Sequence, residues 1–222
     1  RDCLLSRGLG DVYKRQQHTL MTRKAMNGGA DLPIICKVYY GLTQEEEAIL
    51  FSRQTGVSAP LTAGAKLRAA LFGKDAEAIA FLNATESTGL QLGLDSYRAP
   101  WKIICIRTAF KEYKTYGADL YKEALTMLAR GWEGDPDSLR SGILQGMMRF
   151  VALYQGEYDP ERLVKRLHTV HPMTLVRDEK SLSGTVRYKY MMLILRTYNG
   201  ASRRRNLPIL SLIHISEPTR QE

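Results

Sequence analysis

Residues 139–154 read LRSGILQGMMRFVALY. Leu139, Ile143, Met147, Phe150, Val151 and Tyr154 recur every three or four positions, which puts them on one face of an α-helix. Such a stripe has to be buried against other stripes. The flanking sequence supplies them: Leu120, Tyr121, Ala124, Leu125 and Leu128 mark a second face, and Ile103, Ile106, Phe110 and Tyr113 a third. Residues 159–170 and 186–198 continue the pattern downstream. Upstream, 63–72 and 75–87 read as two helices separated by Gly73. Only 89–100 interrupts the series; with Leu90, Leu92 and Leu94 in alternation it reads as an irregular or hairpin-like stretch. The spacing predicts a helical bundle core over 57–209, in which the Met and Tyr side chains serve packing.

The stretch before it has a different texture. Leu20 to Met26 fits a short helix that Asn27-Gly28-Gly29 stops, because glycine takes left-handed conformations at low cost. Leu32 to Tyr40 (LPIICKVYY) is apolar and β-rich, which predicts a buried strand. Thr43 and Glu46 then form a capping box, and Glu45, Glu46 and Glu47 suit the positive end of the following helix. The fold class expected is α+β and predominantly helical, with a partial α/β piece at 17–56 ahead of a helical domain at 57–209.

Both ends of the chain stand apart. Under one permitted coding, Ser6–Gln16 (SRGLGDVYKRQ) and Leu210–Arg220 (LSLIHISEPTR) are antisense translations of each other, residue for residue. The corresponding DNA resembles a transposon adapter used to tag sequencing libraries. Residues 1–16 and 210–222 are therefore expected to be adapter-derived and to carry no fold information, His214 and Cys3 included. The remaining segment holds 27 Lys and Arg against 19 Asp and Glu, so a positive excess persists. That balance is compatible with nucleic acid or another polyanion.

Cys36 and Cys105 lie in apolar runs and read as buried thiols. Two unpatterned cysteines favour a reducing, cytoplasmic setting over a disulfide framework. No stretch reaches the roughly 18 apolar residues that a membrane span requires, so no membrane partner is expected.

The polar triplet Gln17-His18-Thr19 precedes the first helix, where free N–H groups make a natural phosphate cradle. The order Gln17-His18-Thr19, Ala25, Leu32-Pro33-Ile34, Thr43-Gln44-Glu45-Glu46 resembles the nucleotide pocket of the ParB/sulfiredoxin-like family. More narrowly, 17–209 resembles an uncharacterised ParB-like family of phages and bacterial mobile elements. Its helical region ends near a Tyr-Asn pair and a basic run, here Tyr198-Asn199 and Arg203-Arg204-Arg205-Asn206-Leu207. The resemblance implies a nucleotide- or phosphate-responsive, DNA-associated protein. Gln17, His18 and Thr19 would bind phosphate with support from Arg23 or Arg53, and a nucleoside triphosphate with Mg²⁺ would be the ligand. Partition proteins carry a Glu-Asn pair where this chain has Phe51-Ser52-Arg53-Gln54, so the metal-holding part of their site is absent. Arg203, Arg204 and Arg205 are the candidate DNA contacts.

Two other classes of function are compatible with the same residues. A ParB-type nuclease would use His18 as general base or phosphate ligand. A non-enzymatic reading makes the helical domain a protein-interaction module. A helix-turn-helix over 61–89 is permitted by Gly73, but its second helix begins acidic (Asp75-Ala76-Glu77) and suits phosphate poorly. His168 and His171 have the i,i+3 spacing of a ligand pair, yet Pro172 follows at once, so both are expected at a helix end, where the dipole favours them. Sulfiredoxin-type chemistry is not expected, because no cysteine adjoins the triplet. No metal site is expected.

Overall fold

The computed structural model describes residues 21–30, 40–46, 62–95, 97–201 and 206–209. The chain divides into two compact units, residues 1–44 and 45–222.

In the first unit residues 21–26 are helical and residues 27–29 form the turn that ends the helix. Gly28 and Gly29 have φ of +64° and +86°, which is why two glycines stand there. The amide of Gly29 closes onto the Lys24 carbonyl at 2.9 Å. The strand expected at 32–40 falls almost wholly on residues outside those described; only Tyr40 is described, and it is exposed and in no strand. Residues 44–46 are helical, at the start that Thr43 marks.

The described part of the second unit is predominantly helical. Helices α1 (Ala63–Phe72) and α2 (Ala76–Glu86) begin at Thr62 and Asp75, whose side chains accept from the amides of Ala65 and Ala78. Strands β1 (Gln91–Leu92) and β2 (Lys102–Ile103) follow, then the 27-residue α3 (Ile106–Trp132), α4 (Ser141–Leu153), α5 (Pro160–Leu167), α6 (Pro172–Asp178), a 3₁₀ turn at Glu179–Ser181, and α7 (Val186–Asn199). No described helix is long and apolar enough to cross a membrane.

The 139–154 stripe lies at the centre of this unit: Leu139, Ile143, Met147, Phe150, Val151 and Tyr154 are all buried. Helix α4 packs between α3 and α7. Its contact with α7 is close because Gly142 and Gly146, one turn apart, face Tyr190; a Cβ on Gly146 would stand 2.4 Å from Cβ of Tyr190. A second cluster joins α2 to α3, where the Phe81 ring meets Phe110, Tyr113 and Tyr121 with centroids 5.0–5.7 Å apart. Thr85 donates to the Phe81 carbonyl at 3.0 Å, so its oxygen accepts from the Tyr121 hydroxyl at 3.1 Å. Each fully buried aromatic or aliphatic side chain contributes roughly 1.5–3 kcal/mol of burial.

The stripes at 106–113 and 120–128 lie on two helical segments, as their separate patterns predict; α3 spans both and is interrupted between them at Gly117 (φ 81°, ψ 171°), a conformation that a Cβ would strain. Three features differ from the sequence expectation. Ile103 lies on β2, not on the first of those helical segments. The 89–100 stretch is not a hairpin: β1 and β2 pair in parallel, with Gln91 N donating to Trp101 O and Gly93 N to Ile103 O, each at 2.8 Å. The chain can return in the same direction because Trp101 takes φ +62° and its amide is held by the Gly134 carbonyl at 2.8 Å. Finally, Pro172 starts a helix instead of only ending one. Its fixed φ suits the first helical position, where no N–H is needed.

Candidate functional site

Of the residues expected to hold phosphate, Gln17, His18, Thr19 and Arg53 lie outside the described residues. Arg23 is exposed on the helical segment 21–26. The DNA candidates Arg203, Arg204 and Arg205 also lie outside the described residues, but the chain on either side of them is described, and it is tightly held.

Helix α7 ends with Tyr198 and Asn199. The Asn199 side chain makes two hydrogen bonds to Leu207: Nδ2 donates to its carbonyl at 3.0 Å, and Oδ1 accepts from its amide at 2.9 Å. A side-chain amide paired to a backbone amide in this way replaces one rung of a β-ladder. Leu207 is buried, and the next carbonyl, that of Pro208, accepts from the Tyr154 hydroxyl at 2.7 Å. Arg162 on α5 binds across the junction, donating to Asn199 O at 3.2 Å and to Asn206 Oδ1 at 3.4 Å, with its guanidinium over the Tyr198 ring at 4.6 Å. The Tyr198 hydroxyl accepts from the Asp159 amide at 3.0 Å, just before α5. The Tyr-Asn and Asn-Leu that bracket the arginine run are thus the two halves of a clamp.

Next to the clamp is an open cleft of about 440 Å³ between the ends of α5, α6 and α7. Arg166 enters it from the last turn of α5 and Arg196 from the last turn of α7. Both are stabilised there by the negative end of their helix dipole. Neither forms an ion pair among the described residues, whereas Arg98, Arg130, Arg140 and Arg187 each meet a carboxylate at 3.1 Å or less. Asp178 also lines the cleft, with Oδ1 accepting from Arg177 Nε at 3.0 Å. Sequence reasoning missed Arg166 and Arg196: they are thirty positions apart and belong to no local motif.

The other candidates are structural. His168 caps the C-terminus of α5. His171, expected at a helix C-terminus, instead caps the start of α6: Nδ1 accepts from the Met173 amide at 3.1 Å, so Nε2 carries the proton in the neutral form. Nε2 lies 3.9 Å from Asp135 Oδ2. The two histidines therefore face different tasks, and no group of three ligating side chains exists among the described residues. Cys105 is half-buried and donates to the Leu139 carbonyl at 3.5 Å; desolvation pushes its pKa from 9.0 up to about 11, which leaves an inert thiol. Cys36 lies outside the described residues. The Tyr158 hydroxyl donates to Glu123, and burial, then the carboxylate beside it, raise its pKa. Glu112 is buried and pairs with Arg187 at 2.7 Å, while its second oxygen has no hydrogen-bond partner. On the helix-turn-helix question, α2 packs Ala78, Phe81, Ala84 and Thr85 inward and carries no Lys or Arg, so it offers nothing to phosphate.

Fold and site define a predominantly helical protein in which Arg162, Arg166 and Arg196 gather near the end of α7. The model of a family of unknown function (DUF6551) matches residues 9–211, and the chain belongs to that family. No curated protein and no solved structure matches the chain.

Proposed function

We propose that this protein is a phosphate-responsive, DNA-associated member of its family, acting in a reducing cytoplasm. In this reading 17–56 folds as a partial ParB-like α/β piece. Gln17, His18 and Thr19, with Arg23 or Arg53, engage a nucleotide phosphate, and Arg203, Arg204 and Arg205 grip the DNA backbone.

The observation that carries the proposal is the clamp. A basic tail needs no fixed geometry to attract a polyanion. Here the chain is pinned on both sides of the arginine run, by the double hydrogen bond from Asn199 to Leu207 and by the Arg162 bridge. Pinning removes conformational entropy before binding, which is how phosphate contacts come to position a protein on a duplex. The net charge of +9 supplies long-range attraction.

The test is the salt dependence of duplex binding by the full chain. The logarithm of affinity should fall linearly with the logarithm of salt concentration, by about 0.9 per phosphate neutralised. Changing Arg203, Arg204 and Arg205 together to glutamine should flatten that slope by about 3. A flat response in the parent chain would remove the reading.

A further inference from the structure

We propose that the cleft between α5, α6 and α7 holds the phosphate of a nucleotide, with Arg166 and Arg196 as its ligands. This assigns a binding site to the helical unit, apart from the N-terminal triplet, and it rests on the phosphate-directed reading above.

Three observations carry it. The first is convergence without compensation. Two guanidinium groups from different helices line one cleft, and neither forms an ion pair among the described residues. Asp178, which could neutralise them, is bonded to Arg177.

The second is placement. The Arg166 guanidinium lies against Gly200, where a Cβ would stand 3.0 Å from both Cζ and Nη1. Gly200 also has φ +57° and ends α7. The residue that lets the helix stop is the one that leaves room for the arginine. A guanidinium is a planar fork of donors matched to phosphate oxygens, and fixing it lowers the entropy lost on binding.

The third is lining. Thr169 and Thr197 donate their hydroxyl protons to the Arg166 and Leu193 carbonyls at 2.7 and 2.9 Å. Ser181 likewise donates to the Asp178 carbonyl at 2.7 Å, which leaves the two arginines and Thr174 to donate to the ligand. Val170, Leu175 and Leu193 add apolar surface beside them. With Asp178 bonded to Arg177, two arginines face the ligand, which suits the one or two negative charges of a phosphodiester or a terminal phosphate. Cleft size is in the range of small-ligand sites. Gly200 lines the cleft and adjoins the clamped segment, so a strand gripped at one can reach the other.

The experiment uses the full chain and three probes: labelled single-stranded oligothymidylate, deoxyadenosine monophosphate, and inorganic phosphate. Binding is compared between the parent, the double variant Arg166→Gln/Arg196→Gln, and Lys165→Gln as a neighbouring charge control. Circular dichroism and melting confirm that each is folded. Should the double variant fail to fold, the exposed Arg196→Gln alone and amide shifts at Thr169 and Gly200 in the parent give the same answer. We expect affinity to fall about tenfold or more in the double variant, and to stay within about twofold in Lys165→Gln. Loss confined to the oligonucleotide identifies a strand as the source of the phosphate; loss confined to the mononucleotide identifies a free nucleotide. Oligonucleotide and mononucleotide binding that both persist unchanged in the double variant overturn the cleft assignment and leave the DNA-associated reading standing. A parent chain that binds none of the probes also overturns the cleft assignment, while the duplex titration above decides the DNA-associated reading on its own.

Discussion

Single residues set the distances in this fold. Gly146 marks the closest approach of α4 to α7: a Cβ there would meet Tyr190 Cβ at 2.4 Å and its carbonyl carbon at 2.7 Å. The second contact is backbone, so a rotamer change cannot relieve it. Gly146→Ala should destabilise the protein by about 1–3 kcal/mol, read from the urea midpoint. An unchanged midpoint would mean that the helices are less closely packed. The signal was present in the sequence as two glycines four positions apart, inside the stripe that predicted the helix. Cys105 gives a pH effect whose sign follows from its raised pKa. Between about 9 and about 11 the folded state keeps a proton that the unfolded state has released. The thiol's contribution to stability is full below about 9 and is lost as pH rises toward 11. Urea midpoints of the parent and Cys105→Ala should therefore converge over that interval, and parallel curves would refute the assignment.

At the scale of elements, the helices were legible because apolar periodicity and caps are local. The expected 63–72 and 75–87 became α1 and α2 with Asp75 as the cap. Residues 159–170 became α5, with Asp159 accepting from the Glu161 and Arg162 amides. A misreading came where a local signal had two outcomes: Pro172 read as a stop and is a start. The parallel pairing of β1 with β2 depends on Gly134, more than thirty residues downstream of Trp101 in sequence, and nothing near Leu90 announces it. The C-terminal clamp is also an element-scale device. Asn199→Ala removes both hydrogen bonds to Leu207. Amide exchange at Leu207 should accelerate by about tenfold or more, while the amides of α4 keep their protection. Equal acceleration in both would show that the clamp is part of the global unfolding unit.

In the whole molecule, the core and the basic end share side chains. Phe150 is fully buried and touches Tyr154, Tyr158 and Tyr198 with ring centroids 5.2–5.9 Å apart. Tyr154 holds Pro208, and Tyr198 lies under Arg162. Phe150→Ala should cost about 3–5 kcal/mol of stability in denaturant melts. It should also loosen the clamp, seen as faster exchange at Leu207 in the native state. A stability loss with unchanged exchange at Leu207 would uncouple the two.

The sequence by itself determined the helical class, the positions of most helices, the packing role of the Met and Tyr stripes, and the excess of positive charge. These follow from periodicity of 3.6 residues, from capping side chains and from composition, all of which act over a few residues. Tertiary structure alone decided that Arg166 and Arg196 share a cleft, that Asn199 grips Leu207, and that Gly142 and Gly146 admit Tyr190. Those depend on how helices cross and where chain reversals land, which is settled by packing among side chains distant in sequence.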